Sequence, residues 1–321
     1  MKEKEKEEKN KEYLSSLLTK NETVSKQSTP VKKSTNVDFE QDSIDYSNIS
    51  LNILPAGRFY KYGTKIAIRA AKVTEIQSYS MVDDNNFVDI TDKMNELLAR
   101  NIIFTHPNGS KGSYKDIKDS DRVYLIFMIR ELTFQGGNTL TKEVTCSSDT
   151  CDKEFFIPFR STPGPDAPTT FELHEPNSKI ERFFNKDTQT YQIIHNEISW
   201  NLSPPTIGIQ EDFYEEIKRN VQADKKPDIV FMKIMPFLLT DMNSITEEEL
   251  KTKSKEFKAA TANDLILSQG LNEIINNMTV GIKGLKMKCP ECGTEVHTPL
   301  TFPGGASTLF ELPNILDRFG K

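Results

Sequence analysis

Four cysteines, and no others in 321 residues, fall in two close pairs, Cys146 with Cys151 and Cys289 with Cys292. Disulfide scaffolds are short and cysteine-dense, which this chain is not. Two short-spaced pairs far apart read instead as the halves of one metal site. The flanks agree. Val144-Thr-Cys-Ser-Ser-Asp-Thr-Cys-Asp-Lys-Glu-Phe-Phe-Ile-Pro158 and Met287-Lys-Cys-Pro-Glu-Cys-Gly-Thr-Glu-Val-His-Thr-Pro299 have the same plan. Each runs from a short loop between cysteines, through a polar turn, into a strand that ends at a proline. That is the knuckle of a zinc ribbon, in which a tight loop presents two thiolates and a hairpin holds the loop. Zinc takes four soft ligands in a tetrahedron, two from each loop. The second pair, with Pro290 inside it and Gly293 behind, is the stronger knuckle; the first is a looser C-x4-C and lacks the glycine.

The pairs are separated by residues 152 to 288, far more chain than a ribbon needs. The two hairpins must therefore meet in space around an insertion. The expected fold is α+β: a small N-terminal strand-and-helix unit closed by a split zinc ribbon, with a mainly helical insertion. Four thiolates leave no open position on the ion, so Cys146, Cys151, Cys289 and Cys292 are expected to hold one structural Zn2+. Such a site closes the insertion as a disulfide would, yet is compatible with a reducing compartment. His297 lies on the second hairpin, but an ion with four thiolates has no need of it.

Length supports the same division, since 321 residues exceed the ~100–200 of one ordinary domain. Aromatics at 9 % suffice to fill a core. The longest apolar run, Val123 to Ile129, is far short of the ~20 residues of a membrane span. Met1–Lys20 alternates Lys and Glu and has none of the apolar stretch of a signal peptide. A soluble, intracellular protein without a membrane partner is expected. The net charge of -6 counts against a chain whose main work is neutralising phosphates.

Residues 1–42 read as a disordered charged arm, with five Lys and five Glu in the first twelve positions. Within it, Leu14, Leu17 and Leu18 leave room for a short helix that docks on a partner. Residues 43–160 form the α+β unit. It opens with alternation over Ile49–Ile53, a turn at Leu54–Tyr60 and a strand at Lys65–Arg69. Phe87, Ile90, Met94, Leu97, Leu98 and Ile102 then mark one face of a helix. Ser120-Asp-Arg offers an N-cap to a second helix, apolar on every side over Val123–Ile129 and expected to stop at Gly136-Gly137. Phe155–Phe159 is a strand.

Residues 161–178, opening with three prolines and a glycine by Thr170, read as a linker, and residues 179–286 as the inserted unit. Short strands are expected at Arg182–Phe184, Tyr191–Ile194 and Ile198–Leu202, with Trp200 in the core. Helices follow at Ile209–Val221, Asp228–Leu239, Thr246–Ala260 and Asn263–Asn277. The third starts with the capping box Thr246-Glu-Glu-Glu249, and Pro236 should kink or split the second. Residues 287–321 carry the second knuckle and a tail rich in large apolar residues. No constellation points to an enzyme. His106, His174 and His195 are scattered, and Gly136-Gly137 and Gly304-Gly305 lack the Lys-Ser/Thr of a phosphate loop.

Several stretches resemble a family of contractile-tailed phage proteins, the baseplate hub subunits and hub-assembly proteins of T-even-type phages. Leu54-Pro-Ala-Gly-Arg-Phe-Tyr60 is similar to the family's Leu-Pro-Ser-x-Gly-x-x-Tyr opening, with Ala56 where serine is usual. Asp121-Arg-Val-Tyr-Leu-Ile-Phe-Met-Ile-Arg130 resembles its Asp-x-x-Tyr-Leu-Leu-x-x-Leu-Arg helix before the first cysteine pair, and the second knuckle fits the larger members. The strand Lys65–Arg69 and the helix around Leu97-Leu98 come in the same order. The resemblance covers about a third of the chain. It implies a non-enzymatic part in building the baseplate hub in the host cytoplasm, and leaves open whether the chain stays in the virion tail baseplate or leaves as an assembly chaperone. Other hub and tail proteins would be the partners, with no small-molecule substrate.

A second reading is a zinc-ribbon protein that binds nucleic acid in transcription, because Lys283, Lys286 and Lys288 cluster beside the second knuckle. Three lysines on an acidic chain make a modest patch. The tail Leu309-Phe310-Glu-Leu312-Pro-Asn-Ile315-Leu316-Asp-Arg-Phe319 either packs back on its own core or is a contact for a partner.

Overall fold

The computed structural model describes residues 45–134, 139–163, 167–223, 229–240, 242–262, 264–302 and 305–310. The charged arm, the Gly136-Gly137 stop, the helix starts at Asp228 and Asn263, and the tail beyond Phe310 lie outside the described residues. The fold is α+β, as the cysteine spacing and the two periodicities required. No helix among the described residues is long and apolar enough to cross a membrane.

The first half builds one core. Strands β1 (Ser47–Ile49), β2 (Lys65–Ile68) and β3 (Ile102–Thr105) form an antiparallel sheet in the order β1-β2-β3. The expected strand Ile49–Ile53 is cut short, because Leu51–Ile53 winds into a 3-10 turn. The chain must wrap there around Gly57, where a Cβ would meet the Leu51 carbonyl oxygen at 1.8 Å. Helix α1 (Val73–Tyr79) was not legible in the sequence. Helix α2 (Phe87–Asn101) was; Asn86 caps it by accepting from the N–H groups of Val88 and Asp89. Its apolar stripe ends in Ile102, which instead begins β3. Helix α3 (Arg122–Thr133) buries every residue from Tyr124 to Arg130, the central position its apolar circumference demands. Phe127 packs among Phe159, Phe171 and Phe302.

The hairpin β4 (Thr141–Thr145) and β5 (Glu154–Pro158) carries the first cysteine pair. The segment 161–178, expected to be a linker, contains strand β6 (Phe171–Leu173). Pro163, Pro165 and Pro168 come before it and Pro176 after it, which leaves its own three residues free to pair, and Phe171 is buried against Tyr124 and Phe127.

The second core is the insertion. A sheet of β7 (Phe184–Asn185), β8 (Thr190–His195) and β9 (Ile198–Leu202) precedes four helices. These are α4 (Ile207–Gln222), α5 (Ile229–Leu238), α6 (Glu247–Thr261) and α7 (Leu265–Asn277). Arg182 and Phe183, expected in the first strand, belong to a 3-10 turn over Ser178–Phe183. Pro236 does not split α5; the helix ends two residues later, so the missing N–H costs one bond near its terminus. Trp200 lies half-buried on β9 against this core.

The chain then returns through β10 (Ile282–Lys288) and β11 (Glu295–Thr298). Most of β10 falls within the residues read as insertion, yet β10 pairs with β6, and its Leu285 is buried in the first core. Conversely, Ala56 and Phe59 leave the first half and pack in the second core. The tail's beginning packs back on the chain. Leu309 and Phe310 are fully buried, Phe310 rests on Tyr79 with centroids 5.0 Å apart, and Arg130 Nε donates to the Leu309 carbonyl. That contact is closed to a partner.

Candidate metal centre

Each cysteine pair is placed by a hairpin. Behind the first, Val144 faces Phe155 and Thr145 faces Glu154, and the Cys146 N–H donates to the Lys153 carbonyl at 2.9 Å. Four residues fit between the cysteines because the Cys151 N–H turns back to the Ser148 carbonyl at 3.0 Å. Behind the second, Lys288 faces Glu295, and the Cys289 N–H donates to the Thr294 carbonyl at 2.8 Å. Gly293 has φ +75, a left-handed turn that favours glycine, and its N–H closes on the Cys289 carbonyl.

The hairpins bring the four sulfurs together, with all four Sγ atoms within 4.8 Å of one another. Contacts run between pairs: Cys146 to Cys292 at 3.5 Å and Cys151 to Cys289 at 3.9 Å. Cys146 and Cys289 are buried, Cys151 is half-buried and Cys292 is exposed. Among the described residues this is the one cluster of potential ligands. His297 is engaged elsewhere, by Glu172 at 2.9 Å and Glu295 at 3.1 Å. The four residues singled out from the sequence are therefore all brought to one point, and they can hold a metal ion.

Their electrostatics fit that role. Hydrogen bonding from the Thr294 hydroxyl and N–H draws the Cys292 thiol down to about 6. At Cys146 the Ser148 N–H also lowers the pKa, but burial and the neighbouring thiols outweigh it and push the group up to about 12. The Cys151 thiol is raised as well, against the lowering effect of the Lys153 N–H. Four thiolates this close repel one another, so without a cation they do not all ionise. A cation favours the ionised set and expels the protons. With four sulfur donors and no oxygen ligand, the set suits a soft or borderline tetrahedral ion.

A second polar centre was not singled out. Ser120-Asp-Arg was read as an N-cap, but the Asp121 carboxylate does not cap α3. It accepts from the Ala56 N–H and the Tyr60 hydroxyl, both at 2.7 Å. Tyr60 in turn accepts from the Lys118 N–H at 3.0 Å, and Lys118 Nζ donates to the Ser203 hydroxyl at 2.9 Å. Asp121 is 0 % exposed, and desolvation raises its pKa to about 7 against these favourable bonds. Burial also pushes the Tyr60 hydroxyl well up. The chain of bonds crosses from the Leu54–Tyr60 turn to the insertion.

No protein-family model matches the chain, and no curated protein or solved structure does.

Proposed function

We propose that this chain is a structural or assembly protein of a phage tail baseplate hub, binding other hub proteins, performing no chemistry, and stiffened by one structural Zn2+. One observation supports the reading above the rest. The two stretches that resemble the hub family are a single unit in space, joined by the Asp121 carboxylate to the Ala56 N–H and the Tyr60 hydroxyl. The departure at Ala56 is compatible with it, since the contact uses the backbone N–H. Zinc is favoured because four thiolates in a closed cluster form the donor set of a structural site, with no position left for substrate.

The test has two arms. Co-expression with the hub proteins of the source phage, followed by pull-down, should recover at least one of them. Metal analysis of protein purified without added metal should give about one zinc per chain. If no hub protein is recovered and phage lacking this chain build complete baseplates, the hub reading is wrong. The nucleic-acid reading rests on Lys283, Lys286 and Lys288. Lys283 is already paired with Glu172 at 2.7 Å, which weakens that patch. Salt-dependent retention on DNA would revive it.

A further inference from the structure

The four sulfurs at the base of the insertion do not meet solvent alike. Cys146 and Cys289 are buried, at 7 % and 2 % exposure, and Cys151 is half-buried. Cys292 is exposed. Its loop is open on both flanks, since Glu291 and Gly293 are exposed as well. A small solute therefore reaches the Cys292 sulfur and is kept from the two buried ones. Thr294 holds that sulfur in place, with Oγ1 at 3.3 Å.

The sulfur of Cys146 stands 3.5 Å from it, on the other hairpin. Cys289, which shares the loop with Cys292, has its own contact across the hairpins, with Cys151 at 3.9 Å. An accessible sulfur poised beside a second thiol is the arrangement of a redox-sensitive pair. A disulfide is about 2.05 Å long, so the contact of Cys292 with Cys146 must shorten by about 1.5 Å. The looser first loop has room for that movement, because Ser147, Asp149 and Thr150 are all exposed.

We propose that Cys292 is an oxidation site for hydroperoxides, with Cys146 as the thiol that resolves it into a disulfide between the two hairpins. The Cys292 sulfur attacks one peroxide oxygen, the O–O bond breaks, and the other oxygen leaves as water. Cys292 is then a sulfenic acid. The Cys146 sulfur attacks it, the S–S bond forms, the S–O bond breaks, and the remaining oxygen leaves as water. Two thiols lose two electrons and two protons to hydrogen peroxide, which becomes two waters; where the sulfurs start as thiolates, solvent supplies the protons. Only Cys151 and Cys289 then remain as thiolates, too few for a four-sulfur site, so a bound ion departs; this last step rests on the Zn2+ reading above. The base stays shut all the same, because the new bond joins the same two hairpins, 146 positions apart. Peroxide thus exchanges a closure that a chelator can open for one that it cannot.

The test uses the full-length protein, with its zinc content measured first. It is treated with a stoichiometric amount of hydrogen peroxide, free thiols are blocked, and the disulfides are mapped by mass spectrometry. The first disulfide should join Cys146 to Cys292, with zinc released in step and read with a metal-binding dye. Dimedone should trap the sulfenic acid at Cys292 in a Cys146→Ser protein. Chelator should lower the melting temperature of the reduced protein by about 10 °C and leave that of the oxidised protein in place. Any other first pairing overturns the proposal, above all Cys289 with Cys292 inside one hairpin. So does survival of all four thiols. A sample without zinc at the outset overturns the metal reading alone, since the disulfide map of the same protein still decides the oxidation site.

Discussion

The cysteine cluster and the Asp121 seam both tie the insertion to the strand-and-helix unit, and they differ in what they need. The cluster sits at the base of the insertion, where hairpins before and after it meet, and one of its ligands, Cys292, is exposed. Its four acidic groups are at ease only around a cation. The seam is closed to solvent: Asp121, Tyr60, Lys118 and Ser203 are all buried, and donors from the chain satisfy the carboxylate. One tie can be completed by an ion supplied from outside. The other is complete when the chain has folded. Function that must be permanent can rest on the second kind, whereas the first offers a point at which metal supply would act on the fold.

The largest effect expected is from breaking the conditional tie. Prolonged treatment with a strong chelator should lower the melting temperature by about 10 °C or more, because structural metal binding is folding free energy. Cys289→Ser should do nearly as much. Melting curves that superimpose with and without chelator would place the cluster outside the stability of the fold.

Breaking the permanent tie comes next. Asp121→Ala leaves the Ala56 N–H and the Tyr60 hydroxyl buried without an acceptor, at a cost of about 3 kcal/mol in denaturant unfolding. Asp121→Asn should cost less and also reveal the pH dependence. Desolvation raises the folded-state pKa from 3.8 to about 7, so the folded chain holds a proton that the unfolded chain releases in between. The associated stability is fully present below pH ~4 and lost as the pH rises toward ~7. Asparagine cannot titrate, so the slope across that window should flatten. An unchanged slope would remove Asp121 as its source.

Gly57→Ala tests the turn that aims Ala56 and Tyr60 at Asp121. A Cβ 1.8 Å from the Leu51 oxygen forces a backbone shift, and overpacking of this kind costs about 1–3 kcal/mol. The smallest effect is expected from Arg58→Ala, at about 1 kcal/mol. Arg58 makes a two-pronged bond to Glu181 and lies 3.8 Å over the Phe184 ring, but both charges are partly exposed. A larger loss than that from Asp121→Ala would move the weight of the seam to its rim.

The same contrast explains what could be read from the sequence. Cysteines are rare here and come paired, so their spacing names the ligands and the insertion at once. Helix α3 was equally plain, because an apolar circumference has one stable place, the middle. Asp121 is one aspartate among many acidic residues, and its partners are sixty and more positions away, where no periodicity points to them. Strand β6 was hidden by its length, since three residues after a proline-rich stretch carry no alternation to count. Its identity is set by β10, which arrives after the whole insertion. The 3-10 turn at Leu51–Ile53 was lost to a local pattern that suited a strand, until close approach to Gly57 forbade it.

The separation of the cysteine pairs also has a consequence in time. Cys151 and Cys289 lie 138 positions apart. At a synthesis rate of about 5–20 residues per second, the first pair waits roughly 7–28 s on the ribosome for the second. The insertion emerges whole in that interval, and its second core can consolidate before the base beneath it is sealed. Phe310 leaves the ribosome later still, so its place beside Tyr79 and Phe134 stays open until after the second pair has emerged. A chain lacking the segment from Cys289 onward would carry a finished second core on an unfinished foundation.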